Sequence, residues 1–154
     1  MNKKITFFVL IITLLIFSNA KSKDNGINII SDKLNIEMNE RKSIFTGNVY
    51  AHNENLKLWS DKMIVYLKID EDEIKKVLAS GNVKIIRLVE GSEIYGDIAN
   101  YSLKEEVIVI TGNVIVKENG NQVSGNELVV DLKNSSSIMS SSDSNRVEAI
   151  ILDN

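Results

Sequence analysis

From Ile27 onward the chain alternates apolar and polar residues in short runs, and no stretch of comparable length carries a helical period. The alternation predicts strands at Ile27 to Met38, Ser43 to Tyr50, Leu56 to Ser60, Lys62 to Leu67, Ile74 to Ser80, Val83 to Leu88 and Glu93 to Gly96. It continues through Ile98 to Leu103, Val107 to Thr111, Val114 to Glu118, Gln122 to Ser124, Glu127 to Leu132 and Val147 to Leu152. Most of these runs are short, and polar turns separate them at Asn39-Glu40-Arg41, Glu90-Gly91-Ser92 and Lys104-Glu105. Asn119-Gly120 supplies the positive φ that a type I′ hairpin turn demands. Residues 134–145 are Ser-rich and read as a mobile loop with a weak strand at Ile138-Met139.

The strands come in repeats. Thr46-Gly47-Asn48-Val49 returns as Ser80-Gly81-Asn82-Val83 and as Thr111-Gly112-Asn113-Val114. A second unit interleaves with it, opening at Asp32, Asp61, Asp97 and Asn126, each followed by an alternating segment. Asp32 lies 15 residues before Gly47, and Asp97 lies 15 before Gly112; the middle spacing, Asp61 to Gly81, is 20 because Asp70-Glu71-Asp72-Glu73 is inserted. Self-similarity at this period means supersecondary units that cannot bury their apolar faces alone and must stack.

Positions two, four and six after each opening residue share one strand face. They read Leu34, Ile36, Met38; Met63, Val65, Leu67; Ala99, Tyr101, Leu103; and Leu128, Val130, Leu132, all apolar or aromatic. The glycine unit follows the same parity: Phe45, Val49 and Ala51, then Ala79, Val83 and Ile85, then Ile110, Val114 and Val116. One face is therefore the interior. By this parity the glycines also face inward, as corners where a missing Cβ lets the sheet bend, with Thr46, Ser80, Thr111 and the three Asn residues outward. No helix follows them, so they are not a phosphate loop.

Composition changes the picture only at the N-terminus and in what it excludes. Residues 1–20 begin Met1-Asn2-Lys3-Lys4, run apolar from Ile5 to Phe17 and end Ser18-Asn19-Ala20, the pattern of a secretory signal peptide cleaved after Ala20. An uncleaved anchor is the alternative, but the apolar run is shorter than the roughly 20 residues that span a bilayer. Residues 21–154 then form one domain, with 21–26 a polar leader. Loss of Lys3 and Lys4 takes the formal charge from −3 to −5, an unfavourable balance for nucleic acid. With no Cys, an exported chain of this size holds together by burial and strand pairing.

Candidate chemistry is sparse. His52 is the only histidine and stands near Glu54, too few ligands for a metal site. A Ser-His-Asp triad or thiol catalysis has little to draw on, and Glu93 with Asp97 fits strand geometry as well as it fits a carboxylate pair. Trp59 and Tyr95 occupy one repeat position, either a sugar-stacking platform or aromatic filling at a strand end. The reading is of a protein that is not an enzyme and uses no cofactor and no metal.

The three Gly-Asn-Val corners in phase with openings such as Ser31-Asp32-Lys33-Leu34 and Ser60-Asp61-Lys62-Met63, behind a signal peptide, resemble the OstA-like family. These are the LptA-type proteins of lipopolysaccharide transport, a fold shared with LptC and the N-terminal part of LptD. The resemblance runs from about Ile29 to Leu132 and more weakly to Leu152; the acidic insertion, the Ser-rich stretch and the short C-terminal end depart from it. It implies an all-β, elongated antiparallel β-jellyroll, folded like a taco, in the periplasm, whose apolar groove holds lipid A acyl chains. The lining would be Leu34, Ile36, Met38, Phe45, Val49, Met63, Val65, Leu67, Val83, Ile85, Ala99, Tyr101, Leu103, Ile110, Val114, Val116, Leu128, Val130 and Leu132. It further implies edge-to-edge partners, an LptC-like inner-membrane protein and an LptD-like outer-membrane barrel, and head-to-tail self-association through Ile27 to Ile30 and Val147 to Leu152. An anchored LptC-like role, or an exported β-solenoid adhesin with a dry core, would leave nearly the same inward columns.

Overall fold

Strand-forming residues and tight turns alternate along the whole of the described chain, which in this computed structural model comprises residues 26–69, 73–142 and 144–152. The expected signal peptide, the leader up to Asn25 and residues 70–72 of the acidic insertion lie outside it. Among the described residues ten strands form: β1 (Asn28–Ile30), β2 (Lys33–Glu37), β3 (Lys42–His52), β4 (Leu56–Leu67), β5 (Ile74–Arg87), β6 (Ser92–Ser102), β7 (Val107–Glu118), β8 (Asn121–Asp131), β9 (Ser136–Ser140) and β10 (Glu148–Ile150).

All pairings are antiparallel, and β3 to β8 follow one another as a meander in a single sheet. Its first edge is covered by two short strands, β2 on the first half of β3 and β1 on the second. Its last edge is covered in the same way, β9 pairing with the second half of β8 and β10 with the first. The Asn119-Gly120 turn joins β7 to β8 with φ of 51° and 82°, the type I′ requirement expected from the dipeptide.

Several runs that the pattern separates are joined. Leu56 to Ser60 and Lys62 to Leu67 are one strand, as are Ile74 to Ser80 with Val83 to Leu88 and the pairs that follow, so β3 to β8 are 11 to 14 residues long. The Gly-Asn units are not strand ends but β-bulges inside strands. Between β3 and β4 the register passes from Thr46↔Lys62 to Val49↔Ser60, so Gly47 and Asn48 oppose Asp61 alone. Gly81-Asn82 oppose Asp97, and Gly112-Asn113 oppose Asn126, in the same way. An extra residue on one strand bends it and raises its twist without ending the ladder.

Each bulge has a side-chain clasp. Gly47 and Asn48 have φ of 83° and 47°, and the values recur at Gly81-Asn82 and Gly112-Asn113. Two successive left-handed residues suit Gly and Asn, which reach that region at least cost. The Asn48 amide donates to Asp32 Oδ2 at 2.8 Å, that of Asn82 to Asp61 Oδ2 at 2.8 Å and that of Asn113 to Asp97 Oδ2 at 3.2 Å. The parity reading that turned these glycines inward is corrected here. A Cβ on Gly47 would meet Asp32 Oδ2 at 2.5 Å, and Cβ atoms on Gly81 and Gly112 would run into Asp61 and Asp97. The missing side chain makes room for the clasping carboxylate, not for the interior.

The bulges divide the sheet into two limbs that face each other. Residues of both limbs form one core: Val49, Ala51, Leu58, Val83, Ile85, Ile94 and Val114 on one side of the bend, and Met63, Val65, Ala79, Ala99, Ile110 and Leu128 on the other. The result is the β-jellyroll expected from the sequence. In the Ser-rich stretch, where a loop with a weak strand at Ile138-Met139 was expected, Ser136–Ser140 pair with Glu127 to Asp131 as a five-residue strand.

Candidate functional site: the cleft between the limbs

The two limbs do not fill the space between them. A cavity of about 480 Å³ remains, walled by Ala51, Leu56, Leu58, Ile85 and Ile94 from one limb and by Met63, Val65, Val77, Ala99, Tyr101, Ile108, Ile110 and Val130 from the other. Ile27, Ile29, Ile74, Ala79 and Leu132 complete the apolar wall; Asn53 and Asn55 are polar, and Arg87 is its one charged member. A second cavity of about 400 Å³ shares Arg87, Ile94, Val130 and Leu132 with the first and adds Glu90, Ser92, Glu118, Asp131 and the serines 135–137. The cleft is thus aliphatic over most of its length and polar at one end.

Of the nineteen residues expected to line a groove, Met63, Val65, Ile85, Ala99, Tyr101, Ile110, Val130 and Leu132 stand on the wall of the larger cavity. Val116 and Leu128 stand on the smaller one. Val49, Val83 and Val114 directly follow the three bulges and are 1–2% exposed, packed into the crease and outside both walls. Phe45 packs against the core from the first edge, and Ile36, Leu67 and Leu103 are half-buried near strand ends. Leu34 and Met38 are each 46% exposed: β2 is an edge strand with no neighbour beyond it among the described residues, and Met38 lies in the turn that follows it.

Sequence reasoning left Leu56, Leu58, Ile74, Val77, Ile94 and Ile108 out of the lining. The signal was present: Leu58 stands two before Ser60, Ile94 two before Gly96 and Ile108 two before Ile110. Counting forward from each opening residue, and only two places back from each glycine, missed the inward residues that lie earlier in each strand, on either limb.

The outer face carries Tyr50, Trp59 and Tyr95. Tyr50 packs against Trp59 with ring centroids 5.1 Å apart, and His52 stacks on Tyr50 at 5.1 Å. Lys84 sits over both Trp59 and Tyr95, at 5.8 and 5.4 Å, and Lys117 lies 5.6 Å from Tyr95. Ring faces already covered by ammonium groups belong to a cross-strand ladder, not to a sugar platform. The Tyr95 hydroxyl donates to Glu93 at 2.5 Å, which with nearby Lys84 holds the Glu93 carboxyl below its ordinary range. In the cleft, burial pushes the Tyr101 phenol up. Among the described residues no three His, Cys, Asp or Glu side chains converge as a metal site would require.

The family described as LptA/(LptD N-terminal domain) LPS transport protein matches residues 28–136, the span from β1 to the start of β9. The chain belongs to this family. An uncharacterized protein of Rickettsia prowazekii (strain Madrid E) is 25% identical over 122 residues, covering 78% of this chain and 83% of its own length. An uncharacterized protein of Rhizobium meliloti (strain 1021) is 31% identical over 111 residues, 66% of this chain, and the match spans 58% of that longer protein. Among solved structures, LptH of Pseudomonas aeruginosa, the LptA homologous periplasmic component of a lipopolysaccharide transport device, superposes with a TM-score of 0.73 at 14% identity. The match covers 87% of this chain and all of LptH, so the folds are alike over nearly their whole lengths.

Proposed function

We propose that the protein is a periplasmic carrier of the lipopolysaccharide transport system, which takes the acyl chains of lipid A into the cleft between its limbs and hands them on through edge-to-edge contacts. The observation that carries this reading is the cavity of about 480 Å³, aliphatic on both walls, in a family of transport proteins. Each buried methylene contributes roughly 0.8 kcal/mol, so ten contribute about 8 kcal/mol before the ordering of ligand and walls is subtracted. No charged clamp is needed for affinity of that size.

The sheet ends support the second half of the reading. Among the described residues β1 and β2 pair only with β3, and β9 and β10 only with β8, so each end presents backbone groups without a strand partner there. Ile30, Ile150, Ile151 and Leu152 are about half or more exposed there. Edges of this kind are ordinarily charged, shortened or paired. On this reading an LptC-like protein joins one end and an LptD-like barrel the other, with head-to-tail self-association by the same contacts.

A photo-crosslinking residue at Tyr101 or Val130, both on the cleft wall, is expected to capture lipopolysaccharide in cells. The same probe at Lys62 or Lys76 on the opposite strand face is not. Equal labelling of the two sets, with no lipid in mass spectra of the protein purified without detergent, would remove the carrier reading.

A further inference from the structure

The polar end of the cleft holds a group with nothing to bond to. Ser92 opens β6 on the inner face, is 2% exposed, and its hydroxyl has no hydrogen-bond partner among the described residues. A buried hydroxyl left in that state has given up its hydrogen bonds to water and gained none in return, so a native fold that keeps one has a use for it. Its direct cross-strand neighbour is Arg87, whose own neighbour on the other side is Leu56. Arg87 belongs to the walls of both cavities and Ser92 to the smaller one, so this rung lies where the aliphatic part of the cleft meets its polar end.

The surroundings decide the kind of ligand group. Arg87 is ion-paired through Nη2 with Glu90, and Glu118 and Asp131 share the same wall, three carboxylates to one cation. Asp131 accepts from the Asn134 backbone N–H at 2.9 Å and from its side-chain amide at 2.7 Å, which holds its carboxyl below the ordinary range and keeps it charged. An anion entering here must displace Glu90 and then face two further negative charges. A neutral hydroxyl or amide meets no such opposition: it accepts a hydrogen bond from the remaining N–H donors of Arg87 and exchanges hydrogen bonds with Ser92.

We infer that Ser92 and Arg87 form a polar subsite that recognises a neutral hydrogen-bonding group, a hydroxyl or an amide, carried on an acyl chain close to its head. This rests on the reading of the cleft as an acyl-chain site and adds to it a means of choosing among chains. The chain lies against the aliphatic walls, while its polar substituent sits at the Arg87–Ser92 rung and fixes how deep the chain enters.

The test uses three probes of one chain length, methyl tetradecanoate, methyl 3-hydroxytetradecanoate and tetradecyl phosphate, each displacing N-phenyl-1-naphthylamine from the purified protein. Wild type is expected to bind the hydroxy ester about fivefold more tightly than the plain ester, the worth of one net hydrogen bond. Ser92→Ala is expected to bind both esters alike, with the plain ester at least as tightly as wild type, and Ser92→Thr to keep the preference. Ser92→Ala removes an unpaired group, so its urea midpoint should not fall. Equal affinity of wild type for the two esters, or a preference that survives in Ser92→Ala, overturns the subsite while leaving the acyl cleft standing. Tightest binding of the phosphate overturns it in favour of a headgroup site. Failure of all three probes to displace the dye overturns the acyl reading and the subsite with it.

Discussion

Gly81→Ala tests the clasp that bends the sheet. Gly81 has φ +79°, where an L-residue with a Cβ loses about 1–2 kcal/mol. The new Cβ would also run into the Asp61 carboxylate, which must swing away and give up the 2.8 Å bond from Asn82, about 1 kcal/mol more. The expected loss is therefore about 2–3 kcal/mol. Gly91→Ala isolates the first contribution, because Gly91 has φ +67° but a Cβ there meets nothing within 4 Å; it should lose only about 1–2 kcal/mol. Asp61→Ala alone should lose about 1 kcal/mol, and the double variant Asp61→Ala/Gly81→Ala no more than Gly81→Ala alone, about 2–3 kcal/mol, a coupling near 1 kcal/mol. Urea unfolding followed by the fluorescence of Trp59, the only tryptophan, reads all four proteins. A double variant that loses the plain sum of its parts would show that Asp61 and the glycine do not meet, and the clasp would be wrong.

Asn100→Val should raise the urea midpoint, by about 1 kcal/mol of stability, because the Asn100 Oδ1 is buried on the outer face between Leu78 and Val109 with no hydrogen-bond partner among the described residues; an unchanged or lower midpoint would show that the carbonyl is satisfied. Asn134→Ala should weaken the protein at neutral pH but not in acid. The Asp131 carboxyl is depressed first by the Asn134 backbone N–H, which the variant keeps, and then by its side-chain amide, which it loses; the amide's contribution is present above the unfolded carboxyl value of about 3.9 and is lost as pH falls through the folded value. Midpoints measured at pH 7 and pH 2.5 that differ from wild type by the same amount would refute it. Deleting residues 146–154 should leave a folded monomer that still takes up the dye yet no longer self-associates, since β10 pairs with only three residues of β8; circular dichroism and concentration-dependent light scattering check both parts, and undiminished self-association of the deletion would sink the edge model.

What was legible in the sequence was whatever period two and left-handed residues encode. Alternation about Leu34, Met63, Ala99 and Leu128 identifies the inner face because each side chain's direction follows from its neighbour's. Gly-Asn pairs locate the bends because few other residues accept two successive positive φ values. Continuity through the bend was not legible: Gly81-Asn82 reads locally as a break, and only the pairing of Ser80 with Ile98 and of Val83 with Gly96 shows the ladder carrying on. Of β9 only the weak strand at Ile138-Met139 was legible, because the serines around it have little strand preference of their own and are drawn into the sheet by the open edge of β8. Arg87 and Ser92 were hidden for a related reason. Ser92 reads as part of the turn Glu90-Gly91-Ser92 and Arg87 as a charge in the run Val83 to Leu88, and only the register places them opposite each other on the inner face.

The ends of the sheet show how the bend is kept where no bulge exists to make it. At the first edge the chain breaks between β1 and β2, and Asp32 in the break holds the Asn48 amide while its own N–H donates to the Gly47 carbonyl at 2.9 Å. At the last edge the break falls between β9 and β10, and Asn126 accepts from the hydroxyls of Ser141 and Ser142 and from the Ser142 N–H. Each terminal rung is therefore two half-strands already set at the angle of the limbs, with the clasp on the inner neighbour. A partner strand added to either end would meet a bent edge and continue both limbs at once. On the edge-to-edge reading this matters more than the affinity of the contact: a flat edge would join two proteins but leave their clefts unaligned, whereas a bent one carries the aliphatic walls from one molecule into the next without a step. Asp32→Ala should then impair passage between joined molecules more than it impairs binding within one, because the half-strands lose their common angle while the walls around Tyr101 and Val130 stay intact. Crosslinking of lipopolysaccharide at Tyr101 compared with its appearance in the outer membrane separates the two effects, and a parallel fall in both would place Asp32 in the stability of the fold alone.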